Sequence, residues 1–192
     1  MGSGVFTQEG KDWSHSRGLL CPLFASNRFQ AFEDIRRFVE DMLNKIVPNM
    51  IVDLHPRIVQ LTLATTLFML FGTSAPRMIA AADEKEQDLA SAFNNAQEYL
   101  AYRTRVGPFH WLINGPGMWL VCRTVHSFLG RAIEEALEVS HERSVQQTEH
   151  RRYVFIDALI QQTRDPRALR DQCMSLLLAG RDSTAACLSW TM

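Results

Sequence analysis

The sequence predicts an all-α fold. Apolar residues recur at spacings of three and four along much of the 192-residue chain, which is the pattern of one buried helical face. Alternating runs of β-branched residues, which would indicate strands, are rare. Prolines and glycines separate the periodic segments from one another. These three observations favour a domain built from helices around a shared apolar core.

The first half of the chain contains two strongly periodic segments. The first covers residues 28–47, and Pro48 lies just beyond its end, where proline stops a helix. One face of this helix is apolar and carries Phe32, Ile35, Phe38, Val39, Met42 and Ile46. A second helix is expected from about Asn49 to Gly72, because glycine suits the left-handed residue that ends a helix.

Three further helices are predicted in the second half of the chain. A polar helix is expected over residues 83–105, and the glycines and prolines within 107–117 end it. A long helix then continues to about His150. The last helix begins at Asp165-Pro166, an N-cap residue followed by proline at the first helical position.

The composition excludes several classes of function. Lys and Arg number 20 and Asp and Glu number 21, which gives a formal net charge of -1. This balance creates no field that would attract nucleic acid, so we expect no nucleic-acid partner. The most apolar run, residues 61–71, is too short to cross a bilayer. Reduced thiols and no metal site of their own are expected for the four scattered cysteines Cys21, Cys122, Cys173 and Cys187.

The most informative motif in the last helix is Ala179-Gly180-Arg181-Asp182-Ser183-Thr184. A glycine inside a helix costs about 1 kcal/mol relative to alanine, so its presence needs a reason. The purely structural interpretation is an exposed helix face that tolerates the glycine, with the hydroxyl groups bonded back to carbonyls. The residues alone leave that interpretation open.

As a whole, the motif resembles the A/G-G-x-D/E-T-T/S signature on the long central helix of cytochromes P450. The resemblance implies that Ala179 and Gly180 bind against the haem and that Asp182 and Ser183 form a catalytic acid-alcohol pair. Oxygen activation consumes protons, and a hydroxyl group hydrogen-bonded to water can relay them. Ser183 stands where threonine is usual; it keeps the hydroxyl and lacks the methyl group that stiffens χ1.

A second motif lies near the start of the chain. Trp13 and Arg17 are four residues apart, so on a helix their N–H groups share a face and can donate to one anionic group. The alternative is that Trp13 is a core anchor and Arg17 a solvated cation. The pair and residues 19–24 (LLCPLF) resemble the W-x-x-x-R helix and the L-L-x-P-x-F continuation of the same family. This resemblance implies that Trp13 and Arg17 bind the haem propionates.

The order of the two matches implies which part of the fold is present. The chain would be the helical section of the cytochrome P450 fold from the W-x-x-x-R helix to the start of the central oxygen-activating helix. None of the four cysteines lies in the family's F-x-x-G-x-R-x-C-x-G loop, which supplies the thiolate ligand of the iron. We therefore expect residues 1–192 to be a single partial domain, truncated at both ends and inactive by itself.

A narrower resemblance, to the fungal alkane and fatty-acid hydroxylases, covers nearly the whole chain. It rests on residues 4–10 (GVFTQEG), 93–100 (FNNAQEYL) and 164–172 (RDPRALRDQ). It implies insertion of one oxygen atom from O2 into a C–H bond of a long alkane or fatty acid, at or near the terminal carbon. Electrons would come from NADPH through NADPH–cytochrome P450 reductase.

The same resemblance implies a location for the complete protein. Members of this branch are held on the cytoplasmic face of the endoplasmic reticulum membrane by an N-terminal anchor, which this sequence lacks. An alternative to the monooxygenase interpretation also stays open. The chain would then be a catalytically inactive helical relic or an interaction module from a truncated gene, and haem binding separates the two interpretations.

Overall fold

The computed structural model of the chain consists of helices and the segments that join them. The residues that it describes are 2–26, 30–47, 49–72, 86–113, 115–143 and 154–191. No strand occurs within these ranges. The predicted all-α fold is therefore confirmed.

Seven α-helices and one 3-10 helix are found in the described residues. Their bounds are α1 Gly10–Ser26, α2 Gln30–Asn44, α3 His55–Phe71, α4 Glu86–Val106, the 3-10 helix Gly107–Ile113, α5 Pro116–Arg143, α6 Phe155–Gln162 and α7 Pro166–Thr191. None of these helices has the length and hydropathy needed to cross a bilayer.

The predicted start of α3 is wrong, whereas its predicted end is confirmed. The helix begins at His55, because Pro56 occupies one of its first two positions, where a missing N–H costs no hydrogen bond. Asn49, the expected first residue, has a left-handed backbone with φ of 64°. At the other end Gly72 has φ of 65°, and its N–H donates to the Phe68 carbonyl at 2.7 Å.

The end of the chain confirms one predicted helix and adds one that was not predicted. Helix α7 begins at Pro166, and the carboxylate of Asp165 accepts a hydrogen bond from the N–H of Arg167 at 3.1 Å. Helix α5 is described as far as Arg143, so its predicted extension to His150 lies outside the described residues. The unpredicted helix is α6, whose buried residues are at helical spacing, namely Phe155, Ile156, Leu159 and Ile160.

The apolar face predicted for α2 exists but is only partly covered. Phe32 is 71% exposed, and Ile35 and Val39 line an open groove instead of a closed core. Phe38 packs this face against α3, because its ring lies edge-on to that of Phe68 with 5.4 Å between centroids. Within the described residues, α3 is the main helix packed against α2, so this face could bury more.

The core lies between α7 and the helices around it. Helix α7 packs along α3 and also contacts α5 and α6, and α4 packs against α5. Leu169, Cys173 and Leu177 of α7 are fully buried. Burying a leucine side chain contributes about 1.5–3 kcal/mol, so this face of α7 is a major source of stability.

A close helix contact lies at Gly180, where α7 meets α3. A Cβ atom built on Gly180 would lie 2.7 Å from Oγ1 and 2.9 Å from Cγ2 of Thr66. Thr66 is itself buried, and its hydroxyl donates to the Thr62 carbonyl at 2.7 Å. Gly180 is therefore required by the close approach of α3, and the interpretation of an exposed, merely tolerated glycine is wrong.

Replacing Gly180 tests this contact. Gly180→Ala gains helix propensity but forces α7 away from Thr66, and overpacking of this kind costs about 1–3 kcal/mol. We expect a net loss of unfolding free energy in urea denaturation. Gly130→Ala in α5 is the matched control, because nothing lies within 4 Å of its Cβ position, and it should gain about 0.5–1 kcal/mol.

The same experiment has an internal rescue. Thr66→Ala removes the two atoms that a Cβ at Gly180 would meet, so the double variant should recover much of the stability that Gly180→Ala loses. A Gly180→Ala protein as stable as the wild type would contradict the contact.

Candidate functional site

One side of the α7 motif borders an apolar groove. Ala179, Gly180 and Thr184 line this groove, which has a volume of about 480 Å³ and lies between α7, α2 and α3. The opposite wall includes Ile35 of α2, and Phe24 of α1 also lines the groove. The motif thus places two small side chains and one hydroxyl at an apolar surface.

Ser183 lies on the open side of α7. It is exposed, and its hydroxyl donates to the Ala179 carbonyl one turn earlier at 2.6 Å. Ala186, Cys187 and Trp190 are exposed at helical spacing after it. The helix therefore shows a strip of mostly small side chains, with Ser183 and its hydroxyl in the strip.

Asp182 points to the side of α7 that faces α4. Its Oδ1 accepts a hydrogen bond from Nη1 of Arg181 at 3.2 Å, and its Oδ2 accepts one from the side-chain amide of Gln97. Its side chain is 35% exposed. The structure therefore brings Asp182 to α4, and no hydrogen bond joins it to Ser183 in the described part of the chain.

Arg181, which sequence reasoning did not single out, is the most buried residue of the motif. Its exposure is 0%, Nη2 donates to the Asn94 side-chain oxygen, and Cζ lies 4.9 Å from the ring centroid of Phe93. Burial lowers the pKa of Arg181 and the Asp182 carboxylate counteracts this effect. The guanidinium nevertheless stays charged, since an arginine pKa lies far above neutrality.

No local signal reveals this burial. Arg181 stands in a polar stretch after leucines, a pattern that looks like a solvated face. The partners Phe93 and Asn94 lie on α4, and Asn94 is 87 residues away in the sequence. A hint was available only in the polar residues Asn94 and Gln97 within an otherwise amphipathic helix.

The Trp13–Arg17 pair shares one face of α1, as its spacing predicts. The Arg17 guanidinium carbon lies 5.4 Å from the Trp13 ring centroid, and both residues are exposed. Neither side chain forms a hydrogen bond with the described residues. Positions 13, 17, 20 and 24 fall within about 60° on the helix surface, and Phe24 lines the groove beside the α7 motif. The pair is thus on the face of α1 that leads to this groove.

Helix α1 is linked to α7 through a short chain of hydrogen bonds. The Gln172 side-chain amide donates to the Ser16 hydroxyl at 2.7 Å, and Ser16 is buried. The N–H groups of Ser3 and Val5 donate to the side chains of Asp171 and Gln172 at 2.8 and 3.3 Å. These bonds fix the first residues and the start of α1 beside α7.

A second, smaller cavity lies between α4, α5 and α7. Its volume is about 110 Å³, and its walls include Phe93, Met118, Cys122 and His126. Burial lowers the pKa of His126, and the positive charge of Arg170 lowers it further. The imidazole is therefore neutral at physiological pH.

The cysteines differ in accessibility. Cys173 is fully buried in the core, and burial raises its pKa to about 12. Cys21 and Cys187 are exposed and Cys122 is partly buried. The described residues contain no group of three or more His, Cys, Asp or Glu side chains that could hold a metal ion.

Comparison with known proteins defines the class. The cytochrome P450 family model matches residues 1–192, so the chain belongs to the cytochrome P450 family, which confirms the resemblance drawn from the two motifs. No solved structure matches the chain.

Among curated proteins, the chain is similar to a cytochrome P450 of Arthroderma benhamiae, with 47% identity over 193 residues. It is also similar to cytochrome P450 52A9 of Candida maltosa and cytochrome P450 52-E3 of Starmerella bombicola, each with 34% identity, over 203 and 202 residues. All of this chain is covered in each comparison, but only 38–39% of each relative.

The thiols give a direct test of the packing behind the motif. Because the thiolate is the reactive form, the raised pKa of Cys173 should slow its alkylation at neutral pH roughly a thousandfold, before steric protection is counted. Iodoacetamide labelling followed by peptide mass spectrometry should modify Cys21 and Cys187 in the folded chain, and Cys173 only after denaturation. Labelling of Cys173 at the rate of Cys21 would contradict the buried position.

Proposed function

We propose that this chain is a section of a haem-thiolate monooxygenase that inserts one oxygen atom from O2 into a C–H bond of a long-chain alkane or fatty acid, at the terminal carbon. The observation that carries the proposal is the placement of the α7 motif. Ala179 and Gly180 border an apolar groove, and Ser183 lies on the open strip beside them. Family membership supports the chemistry, and the resemblance to alkane and fatty-acid hydroxylases supports the substrate class.

The residues of the chain fit a haem. A flat apolar macrocycle needs a surface of small side chains, and the strip that contains Ser183 and Ala186 provides one. Its two acidic edge groups need hydrogen-bond donors, and Trp13 and Arg17 present uncommitted N–H groups on an exposed face. When bound through a cysteine thiolate, haem supplies the activation of dioxygen. Ala179 and Gly180 would contact it, and Trp13 and Arg17 would hold its propionates.

Asp182 and Ser183 would handle the protons that the reaction consumes. The Asp182 carboxylate is partly exposed, so it can take a proton from solvent. The Ser183 hydroxyl can accept a hydrogen bond from water and, once it turns from the Ala179 carbonyl to which it is bonded, pass on its own proton. Serine rotates about χ1 more easily than threonine, which makes this turn easier.

The remaining parts of the proposal concern the whole protein. Residues 1–192 would be one section of a single domain, and the thiolate would come from another section. Electrons would come from NADPH through NADPH–cytochrome P450 reductase. The complete protein would lie on the cytoplasmic face of the endoplasmic reticulum membrane. These statements are supported by the family resemblance.

The propionate contacts can be tested by haem retention in the whole protein. Trp13→Phe keeps the ring and removes the N–H, and Arg17→Met removes the guanidinium. Each lost charge-assisted hydrogen bond is worth about 1.5–3 kcal/mol, so haem transfer to an acceptor protein should accelerate roughly tenfold or more. Trp111→Phe is the matched control, since Trp111 is exposed on the 3-10 helix. Unchanged transfer in both variants would exclude these contacts.

Turnover tests the function itself. The whole protein, combined with a cytochrome P450 reductase, NADPH and a long-chain fatty acid under isotopically labelled O2, should yield a terminally hydroxylated product that carries one labelled atom. Asp182→Asn should lower the rate by about a hundredfold, as expected for loss of a proton donor. The control is Asp41→Asn, because Asp41 is exposed and, among the described residues, pairs with the exposed Lys45.

The opposite outcome favours the alternative. If the whole protein binds no haem and forms no product, the chain is a helical relic or interaction module. Product formation that is equal in Asp182→Asn and the wild type would leave the monooxygenase in place and remove Asp182 from its mechanism.

A further inference from the structure

A buried cation stands directly behind the carboxylate of the α7 motif. Arg181 has no exposed surface, and its guanidinium is held by the Asn94 side chain, the Phe93 ring and Asp182. Its Nε is the one buried side-chain nitrogen or oxygen without a hydrogen-bond partner in the described residues. Burial of a charge is costly unless it is paired, so Asp182 is the group that compensates for Arg181.

Asp182 is held from two helices. Arg181 binds its Oδ1 from within α7, and Gln97 of α4 binds its Oδ2. Arg181 is the preceding residue of the same helix, and its guanidinium is also held by Asn94 and Phe93 of α4. The contact with Gln97 persists only while α4 stays against α7.

These contacts determine the direction of the carboxylate. Arg181 and Ser183 are separated by about 160° around the helix axis, and Asp182 and Ser183 by about 100°. The cation therefore draws the carboxylate toward α4 and away from the Ser183 hydroxyl, which is bonded to Ala179. The Asp182 carboxylate and the Ser183 hydroxyl are adjacent in sequence, but they form hydrogen bonds with different groups.

We infer that Arg181 is a positioning residue, which together with Gln97 fixes the Asp182 carboxylate on the α4 side of α7 and so governs when it can hand a proton toward Ser183. The inference rests on the proposed function. In the transfer one proton passes from solvent water to the carboxylate and then to the water or hydroxyl at Ser183, which releases its own proton to the reaction, while Arg181 keeps all its protons. The step that depends on α4 is the breaking of the hydrogen bond between Gln97 and Oδ2 of Asp182.

A purely structural role for Arg181 makes a different prediction. If Arg181 only joins α4 to α7, its loss reduces stability and activity by the same amount whether or not Asp182 is a carboxylate. If Arg181 acts through Asp182, its loss has no further effect once Asp182 has become an amide. A double-mutant cycle separates the two cases.

The experiment uses the haem-bound whole protein with Arg181→Met, Asp182→Asn and the double variant. Product formed per NADPH oxidised is measured in ordinary and deuterated water. We expect Arg181→Met to lower this ratio about tenfold, as for a misplaced catalytic group, and to increase the solvent isotope effect. The double variant should match Asp182→Asn alone.

Helix α4 offers a second variant and a control. Gln97→Leu removes the releasable contact without changing a buried charge, and its effect should also vanish in the Asp182→Asn background. Asn95→Leu is the matched control, because Asn95 is exposed on the same helix, and its ratio should equal that of the wild type. If Arg181→Met does not fold, the double-mutant cycle of Gln97→Leu and Asp182→Asn tests the inference.

Independent, multiplicative losses in the cycle, or an Arg181→Met protein with an unchanged ratio, would overturn the inference. Absence of product in the unmodified whole protein would instead overturn the proposed function. In that case urea unfolding of the same variants tests whether Arg181 positions Asp182. Additive shifts of the denaturation midpoint would contradict it, and a double variant less affected than the sum would support it.

Discussion

The charge of Arg181, enclosed between α4 and α7, is the constraint on which the arrangement of this site depends. A guanidinium cannot lose its proton to escape burial, so the surrounding helices must supply oxygen atoms and an aromatic face. Asn94 and Phe93 do so from α4, which fixes α4, and with it α5, on one side of α7. The strip that contains Ser183 consequently stays on the other side.

This arrangement separates three tasks along one short motif. Gly180 packs against Thr66 of α3, and Gly180 and Thr184 both line the groove. Arg181 serves the contact with α4, and Ser183 stays open. A single helix turn thus carries a packing residue, an electrostatic residue and an exposed hydroxyl group. For this reason, a change in one of these residues is expected to affect the neighbouring functions as well.

The features that could be predicted from the sequence are those that depend on residues close to one another in the chain. The cap at Asp165, the terminator at Gly72 and the shared face of Trp13 and Arg17 all depend on residues within one or two turns. The predicted start of α3 lies before the observed one, because apolar residues continue at helical spacing upstream of Pro56. Helix α6 was missed, since eight residues give little periodicity. The burial of Arg181 depends on α4, and pairing between distant helices leaves no pattern in a single sequence.

The contact between Gly180 and Thr66 also constrains the order in which the protein can evolve. A lineage that replaced Gly180 by alanine first would pass through a destabilised intermediate, because the new methyl group meets the threonine side chain. A lineage that first shortened Thr66 would lose only a local hydroxyl bond and would open space for the second change. The two positions are therefore coupled by packing, and Thr66 is the accessible first step.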